Sequence, residues 1–269
     1  MSIEAGPGGR RDRVVRRRYL TDRVVPEPRG RGERVADAVL AAALGPVLPA
    51  FRARNPLDRV VVTYDDGPHP EHTPRILDVL AEHRTRATFF VLAGPARRHP
   101  HVVRRAVAEG HEIALHGADH GRLTRLSTRA AVSSVLGARR AVEDVAQVPV
   151  RFFRPPYGAS TLRVNAALRA RGLDVVLWTA EAKDWLHDDE HTLAQNALAT
   201  LRPGAFLLLH DDRADPELAT EPAELPHFDR AEVLRGVLTG MAAAGLRAAT
   251  VGDVRPGGVL RSYGPDLVR

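Results

Sequence analysis

The stretch RVVVTYDDGP, Arg59 to Pro68, decides the fold. Its first six residues are mostly β-branched and apolar, the composition of a buried strand, and Gly67-Pro68 ends the run in a turn. Comparable runs recur at Ala87–Leu92, Glu112–Leu115, Val150–Phe153, Leu173–Trp178, Ala205–Leu209 and Leu246–Val251. Helix-like stretches separate them, at about 73–83, 99–109, 128–146, 161–171, 190–201 and 229–244, with Ser127 or Thr128 as N-cap of the longest. Gly110, Gly172, Gly204 and Gly245 each stand just before a strand, where glycine tolerates the left-handed turn that ends a helix. Strands alternating with helices predict parallel pairing through right-handed crossovers, hence an α/β fold. An open doubly wound sheet and a closed barrel fit the pattern equally.

A chain of 269 residues, 44% apolar, can build one sizeable core. No run of eighteen apolar residues occurs, so no membrane-crossing helix is expected. Ala38 to Phe51 is the longest apolar-rich run, interrupted by Gly45, Pro46 and Pro49. Because 37 residues precede it, it reads as a helical lead-in over 35–57 rather than a signal peptide. With no recognisable export signal, the expectation is a cytoplasmic protein.

Cysteine is absent, which excludes disulfides, a thiol nucleophile and thiolate metal sites. Any metal must sit on His, Asp or Glu. Of the net charge of +6, residues 1–34 supply +5 (ten Arg against five acids), leaving +1 for the rest. The basic character therefore belongs to a Gly/Pro/Arg-rich arm, expected to be flexible, and a nucleic-acid-binding body is not supported. The predicted organisation is arm 1–34, lead-in 35–57, one α/β domain over 58–255 and a tail at 256–269.

In both α/β architectures functional residues gather at the C-terminal ends of strands. Asp65 and Asp66 follow the first predicted strand, His116 the third and Arg154 the fourth; Asp184 comes shortly after the fifth and His210 directly after the sixth. His116 and His120 are four apart, so a helical turn would bring both imidazoles to one face. Alone, that spacing fits two solvated loop histidines. A carboxylate from another strand end, Asp65 or Asp66, would complete a His/His/carboxylate site, although the pair could simply cap the Gly-Pro turn. Two adjacent carboxylates suggest a division of labour, one ligating a metal and its neighbour removing a proton from activated water. No G-x-S-x-G elbow points to a covalent route. Asp211 and Asp212 read as solvated loop acids, His111 as a surface residue, and His69 and His72 as turn and helix-start residues.

Thr63 to Pro68 (TYDDGP) resembles the first motif of the polysaccharide deacetylase family, the NodB homology domain. His116 to His120 (HGADH) resembles its second motif, Arg154 to Gly158 (RPPYG) its third, Glu181 to Trp185 (EAKDW) its fourth and Leu208 to His210 (LLH) its fifth, all in the family's order. The resemblance implies a distorted (β/α)7 barrel and a metal-dependent deacetylase of carbohydrate esterase family 4 type. It implies Asp66, His116 and His120 as ligands of one divalent ion, zinc first and cobalt, nickel or manganese next. Asp65 would be the general base, Arg154 its orienting partner, His210 the general acid and Asp184 the tether of that histidine. The Tyr157 backbone N–H would help hold the oxyanion, and Trp185 would line the groove. Two departures stand out: Gly117 where Ser or Thr is usual, and Glu181 where Asp is common.

The implied substrate is an acetylated glycan, an amino sugar or a related small molecule, with N-acetyl preferred. Only 5% of residues are aromatic, which leaves few stacking platforms for a long polymer. A non-sugar amide or cyclic imide is the alternative, since the motifs specify the hydrolytic apparatus and not the acyl acceptor. A non-catalytic glycan-binding protein is the third reading, and it would be expected to lack the base or the ligands, which are all present here.

Overall fold

The computed structural model describes residues 14–15, 48–53, 58–212, 226–255 and 259–261. Its strands are β1 (Val14–Val15), β2 (Ala50–Ala53), β3 (Arg59–Asp65), β4 (Thr88–Leu92), β5 (Glu112–Gly117), β6 (Phe152–Phe153), β7 (Ser160–Thr161), β8 (Asp174–Val175), β9 (Ala180–Glu181), β10 (Phe206–His210), β11 (Arg247–Ala249) and β12 (Val259–Arg261). Helices α1 (His72–Glu82), α3 (Pro100–Ala108), α4 (Thr128–Ala146), α5 (Leu162–Arg169), α6 (Glu190–Thr200) and α7 (Arg230–Ala243) fall where the apolar periodicity predicts them, whereas the short α2 (Ala93–Arg98), directly before α3, lies outside the predicted helices.

The main sheet is wholly parallel, in the order β8-β6-β5-β4-β3-β10-β9, with β11 also pairing β3. It curls as an α/β half-barrel, the distorted form expected. The fifth predicted strand, Leu173–Trp178, divides. Its first part pairs with β6, and the chain then crosses to the other edge, where the Thr179 N–H donates to the Phe206 carbonyl and β9 pairs with β10. Ser127 is the N-cap of α4, its hydroxyl accepting from the Ala130 N–H at 3.2 Å.

Strand alternation sorts the side chains into two layers. Val60, Val62 and Tyr64 of β3, Phe89 and Val91 of β4, and Leu207 and Leu209 of β10 face the helices in the larger core. Val61, Phe90, Ala114, Phe152 and Phe206 form a second cluster on the opposite face. Burying a Phe side chain fully contributes about 1.5–3 kcal/mol, so this small cluster makes a stable apolar floor. Continuing the same two-residue period towards the C-terminal ends, the same face carries Thr63 and Asp65, His116, Arg154 and, beyond Leu208, His210. A polar layer thus sits on an apolar floor.

The lead-in differs from expectation. Ala50–Ala53 is a strand, not helix, paired antiparallel with Val259–Arg261 of the predicted tail. Alanine's helical preference is outweighed there by long-range pairing: Ala50 and Ala53 are buried in the inner cluster, and the Leu177 N–H donates to the Ala50 carbonyl at 2.7 Å. Of the predicted flexible arm only Val14–Val15 is described, paired antiparallel with Ser160–Thr161; the rest of the arm, the first part of the lead-in and most of the tail lie outside the described residues. Among the described residues no helix is long and apolar enough to cross a membrane.

Candidate functional site

The C-terminal rim brings together residues from five strand ends. Asp65 closes β3 and His210 closes β10, and the two are direct register partners. Arg154 follows β6 and is fully buried. Its Nη1 donates to Asp65 Oδ1 at 2.7 Å and to Thr63 Oγ1 at 2.8 Å, its Nη2 donates to the Leu177 carbonyl, and its guanidinium lies 4.1 Å from the Phe90 ring centre. Water is excluded from this ion pair, so each charge depends on the other. Burial pulls the Arg154 pKa down from its ordinary value, with Asp65 opposing that; a guanidinium stays protonated regardless.

Asp66 sits one residue further, at a φ of 79°, which turns its carboxylate towards the second motif. Its Oδ1 lies 3.3 Å from His116 Nε2 and 3.4 Å from His120 Nε2. One ligand atom from each of the three residues lies within 4.8 Å of the others. Both Asp66 oxygens are buried and, among the described residues, accept no hydrogen bond. Burying an anion that way is costly unless a cation compensates.

The tautomer of His116 follows from its neighbour. Nδ1 lies 2.8 Å from the Arg154 carbonyl oxygen, which can only accept, so Nδ1 carries a hydrogen and in the neutral ring the Nε2 lone pair faces Asp66. Burial pulls the His116 pKa down, but the Asp65 and Asp66 carboxylates outweigh it and raise it, showing a negative field where a cation would sit. Two imidazole nitrogens and one carboxylate oxygen suit zinc and similar divalent ions, and the fit is good.

The expected helical turn between the histidines is not there. His116 belongs to β5, and His120 returns to it through a bend. Gly117 makes that return possible with a φ of 136°, and a Cβ there would stand 3.0 Å from the Asp119 carbonyl oxygen. Glycine at the position where Ser or Thr was expected therefore matches the local backbone of this chain.

His210 is held twice by Asp184. Its Nδ1 lies 2.7 Å from Asp184 Oδ1, and its backbone N–H donates to Oδ2 at 2.7 Å. Burial lowers the His210 pKa, but the Asp184 carboxylate more than offsets that and holds it up to about 9. Asp184 is lowered in turn: burial pushes it up, and His210 and Arg230 outweigh that. Arg230, at the start of α7, donates to the His210 carbonyl at 3.0 Å. Sequence reasoning passed over it, because an arginine opening an amphipathic helix looks like a solvated one.

Tyr157 adopts a left-handed conformation, φ 58°, inside the Pro156–Gly158 turn. That turn is closed by the N–H groups of Gly158 and Ala159, which donate to the Pro155 and Pro156 carbonyls. The Tyr157 ring lies tilted against that of His120, the ring centres 4.5 Å apart, and Trp185 meets the His210 ring edge-on at 5.9 Å. Glu181 accepts from the Trp178 indole N–H at 2.9 Å.

Two readings need correcting. Asp211 is not a solvated acid: it is 1% exposed and bonded to Gly67 and Thr73. His111 is not on the surface either, being buried edge-on against Phe89. His69 does serve the turn, its Nδ1 accepting from the backbone N–H groups of Glu71 and His72.

A polysaccharide deacetylase family model matches residues 52–176. A chitooligosaccharide deacetylase of Sinorhizobium fredii (strain NBRC 101917 / NGR234) is 41% identical over 165 residues, which span 61% of this chain and 77% of that protein. The chain belongs to the polysaccharide deacetylase family. The family's peptidoglycan-N-acetylglucosamine deacetylase PgdA of Listeria monocytogenes is 35% identical over 153 residues, 57% of this chain and 32% of that longer protein. Among solved structures, the Bc1960 peptidoglycan N-acetylglucosamine deacetylase superposes with a TM-score of 0.68 at 27% identity, over 79% of this chain and 94% of that one. The family match ends at residue 176, before Asp184 and His210, whose pairing is a matter of geometry.

Proposed function

We propose that this chain is a metal-dependent hydrolase that removes N-acetyl groups from a glycan or amino-sugar-containing substrate. The observation that carries the reading is the buried Asp66 carboxylate, without a hydrogen bond among the described residues, facing two histidine Nε2 atoms beside two carboxylate-supported groups, Asp65–Arg154 and His210–Asp184. The relatives named chitooligosaccharide and peptidoglycan-N-acetylglucosamine deacetylases support an acetylated amino sugar as the substrate class.

Asp66, His116 and His120 would hold one divalent ion, zinc first. When bound, such an ion supplies a Lewis acid that polarises the acetyl carbonyl and acidifies water. Asp65 takes the proton from the attacking water, and Arg154 keeps its carboxylate oriented. The Tyr157 N–H donates to the carbonyl oxygen as it gains negative charge. His210, tethered through Nδ1, presents Nε2–H to the departing amine, so the amine leaves protonated. Trp185 packs beside that imidazole and covers the leaving-group side.

The test uses the purified full chain with an N-acetylated chitooligosaccharide, assayed for free acetate. Acetate should appear, disappear after chelation and return with Zn²⁺. Hydrolysis of simple amides, or ring-opening of cyclic imides, with no acetate released from any acetylated sugar would overturn the glycan reading in favour of the other bond class.

A further inference from the structure

We infer that Asp211 is a positioning residue for the metal seat, acting through the backbone of the Asp65–Thr73 loop. The inference rests on Asp66 being a metal ligand, as proposed above.

Asp211 follows β10 and lies beneath the turn that carries Asp65 and Asp66. Its Oδ1 accepts from the Gly67 N–H at 3.0 Å, and its Oδ2 accepts from the Thr73 hydroxyl at 2.6 Å. Thr73 in turn accepts from the His69 N–H at 2.8 Å, and the Asp211 N–H donates to the Asp65 carbonyl at 3.2 Å. One buried carboxylate and its own amide therefore hold both ends of the loop that runs from Asp65 to the first turn of α1. Elsewhere the Gly67 carbonyl accepts from the Leu92 N–H, so the turn is also tied to β4.

The loop needs such a hold because of Asp66. A left-handed φ in a non-glycine residue is a sparsely populated conformation, and it persists only when its surroundings impose it. The Gly67 N–H is the next donor after that residue, so the Asp211 bond fixes the peptide that sets where the Asp66 carboxylate points. The fit is close: a Cβ at Gly67 would stand 2.1 Å from Asp211 Oδ2. Gly67 is thus required by the approach of Asp211, and side chain and turn form one unit across 144 residues of sequence. Partners of this kind, one step removed from the ligands, commonly change metal affinity 10–100-fold when removed.

The experiment measures Co²⁺ binding to the full chain by the visible absorption of the bound ion, with thermal unfolding followed in parallel. Asp211→Ala should weaken Co²⁺ affinity about tenfold or more in protein that remains folded at the assay temperature, and alter the absorption band as Asp66 loses its orientation. Asp211→Asn, which keeps an acceptor for Gly67, should fall between parent and Asp211→Ala. Should Asp211→Ala fail to fold, Thr73→Val removes one anchor with little change of shape, and should weaken binding about threefold. A purely structural role would lower the unfolding temperature and leave affinity and absorption band unchanged in the folded variants; that result overturns the inference. Parent protein that takes up no Co²⁺ sinks the metal seat and this inference together. Tight Co²⁺ binding by both parent and variants sinks this inference alone.

Discussion

His210 and Asp65 are direct register partners on the adjacent parallel strands β10 and β3, so the proposed acid and base stand side by side at one level of the sheet. Each is held by a buried group of opposite charge: Asp65 by Arg154 from just beyond β6, His210 by Asp184 from beyond β9. The proposed base and the proposed acid thus each face a buried partner of opposite charge within one rim.

Asp65→Asn should lower acetate release about 10²–10⁴-fold, the range for loss of a general base, while leaving Co²⁺ or Zn²⁺ binding intact. His120→Ala should lower both. Acetate assays paired with metal titrations separate the two effects, and full activity in Asp65→Asn would remove Asp65 from the mechanism.

Arg154→Met should destabilise the fold by about 3–5 kcal/mol, because it strands the buried Asp65 carboxylate without its partner. Replacing both, Arg154→Met with Asp65→Asn, should recover much of that loss. Urea unfolding of the two variants and the parent gives the comparison.

The pH dependence should carry the mark of Asp184. With His210 protonated up to about pH 9, the alkaline limb of kcat/KM should lie near that pH. Asp184→Asn removes the group that offsets burial, so the limb should move to lower pH by about two units or more. Stability has the same sign: because the folded pKa is raised, the contribution is complete below about 6.5 and is lost as pH rises through about 9. The parent should therefore lose more unfolding temperature between pH 7 and 10 than Asp184→Asn does.

Gly117→Ser restores the residue usual in the second motif, and should nonetheless destabilise this protein by about 1–3 kcal/mol. At φ 136° a side chain is strained, and its Cβ would meet the Asp119 carbonyl. Denaturant unfolding measures the cost; a variant as stable as the parent would show that the loop relaxes freely.

Much of the site could be read from short-range patterns. The two-residue period that put Val61 on the inner floor also put Asp65 on the same face, and likewise Ala114 and His116, or Phe152 and Arg154. What misled were features that depend on distant neighbours. The alanine-rich run ending at Phe51 looks helical, yet Ala50–Ala53, at and just past its end, is a strand paired with Val259–Arg261. The four-residue histidine spacing suggested a helical turn, whereas a glycine bend following a strand brings the rings together.

The sequence by itself determined the order of the main parallel strands and the longer helices, the face those strands turn inwards and the ionisable residues at the strand ends, because these follow from periods of 2 and 3.6 residues. Only the tertiary structure decided which charges are stripped of water. Asp211 and Asp212 are equivalent as letters. Asp211 is sealed beneath the Asp66 turn by partners 138 and 144 residues away, where burial raises its pKa to about 7. Likewise the Nδ1 hydrogen of His116 is set by a carbonyl 38 residues distant. Solvation and hydrogen-bond direction are properties of the surroundings, and those exist only once the chain has folded.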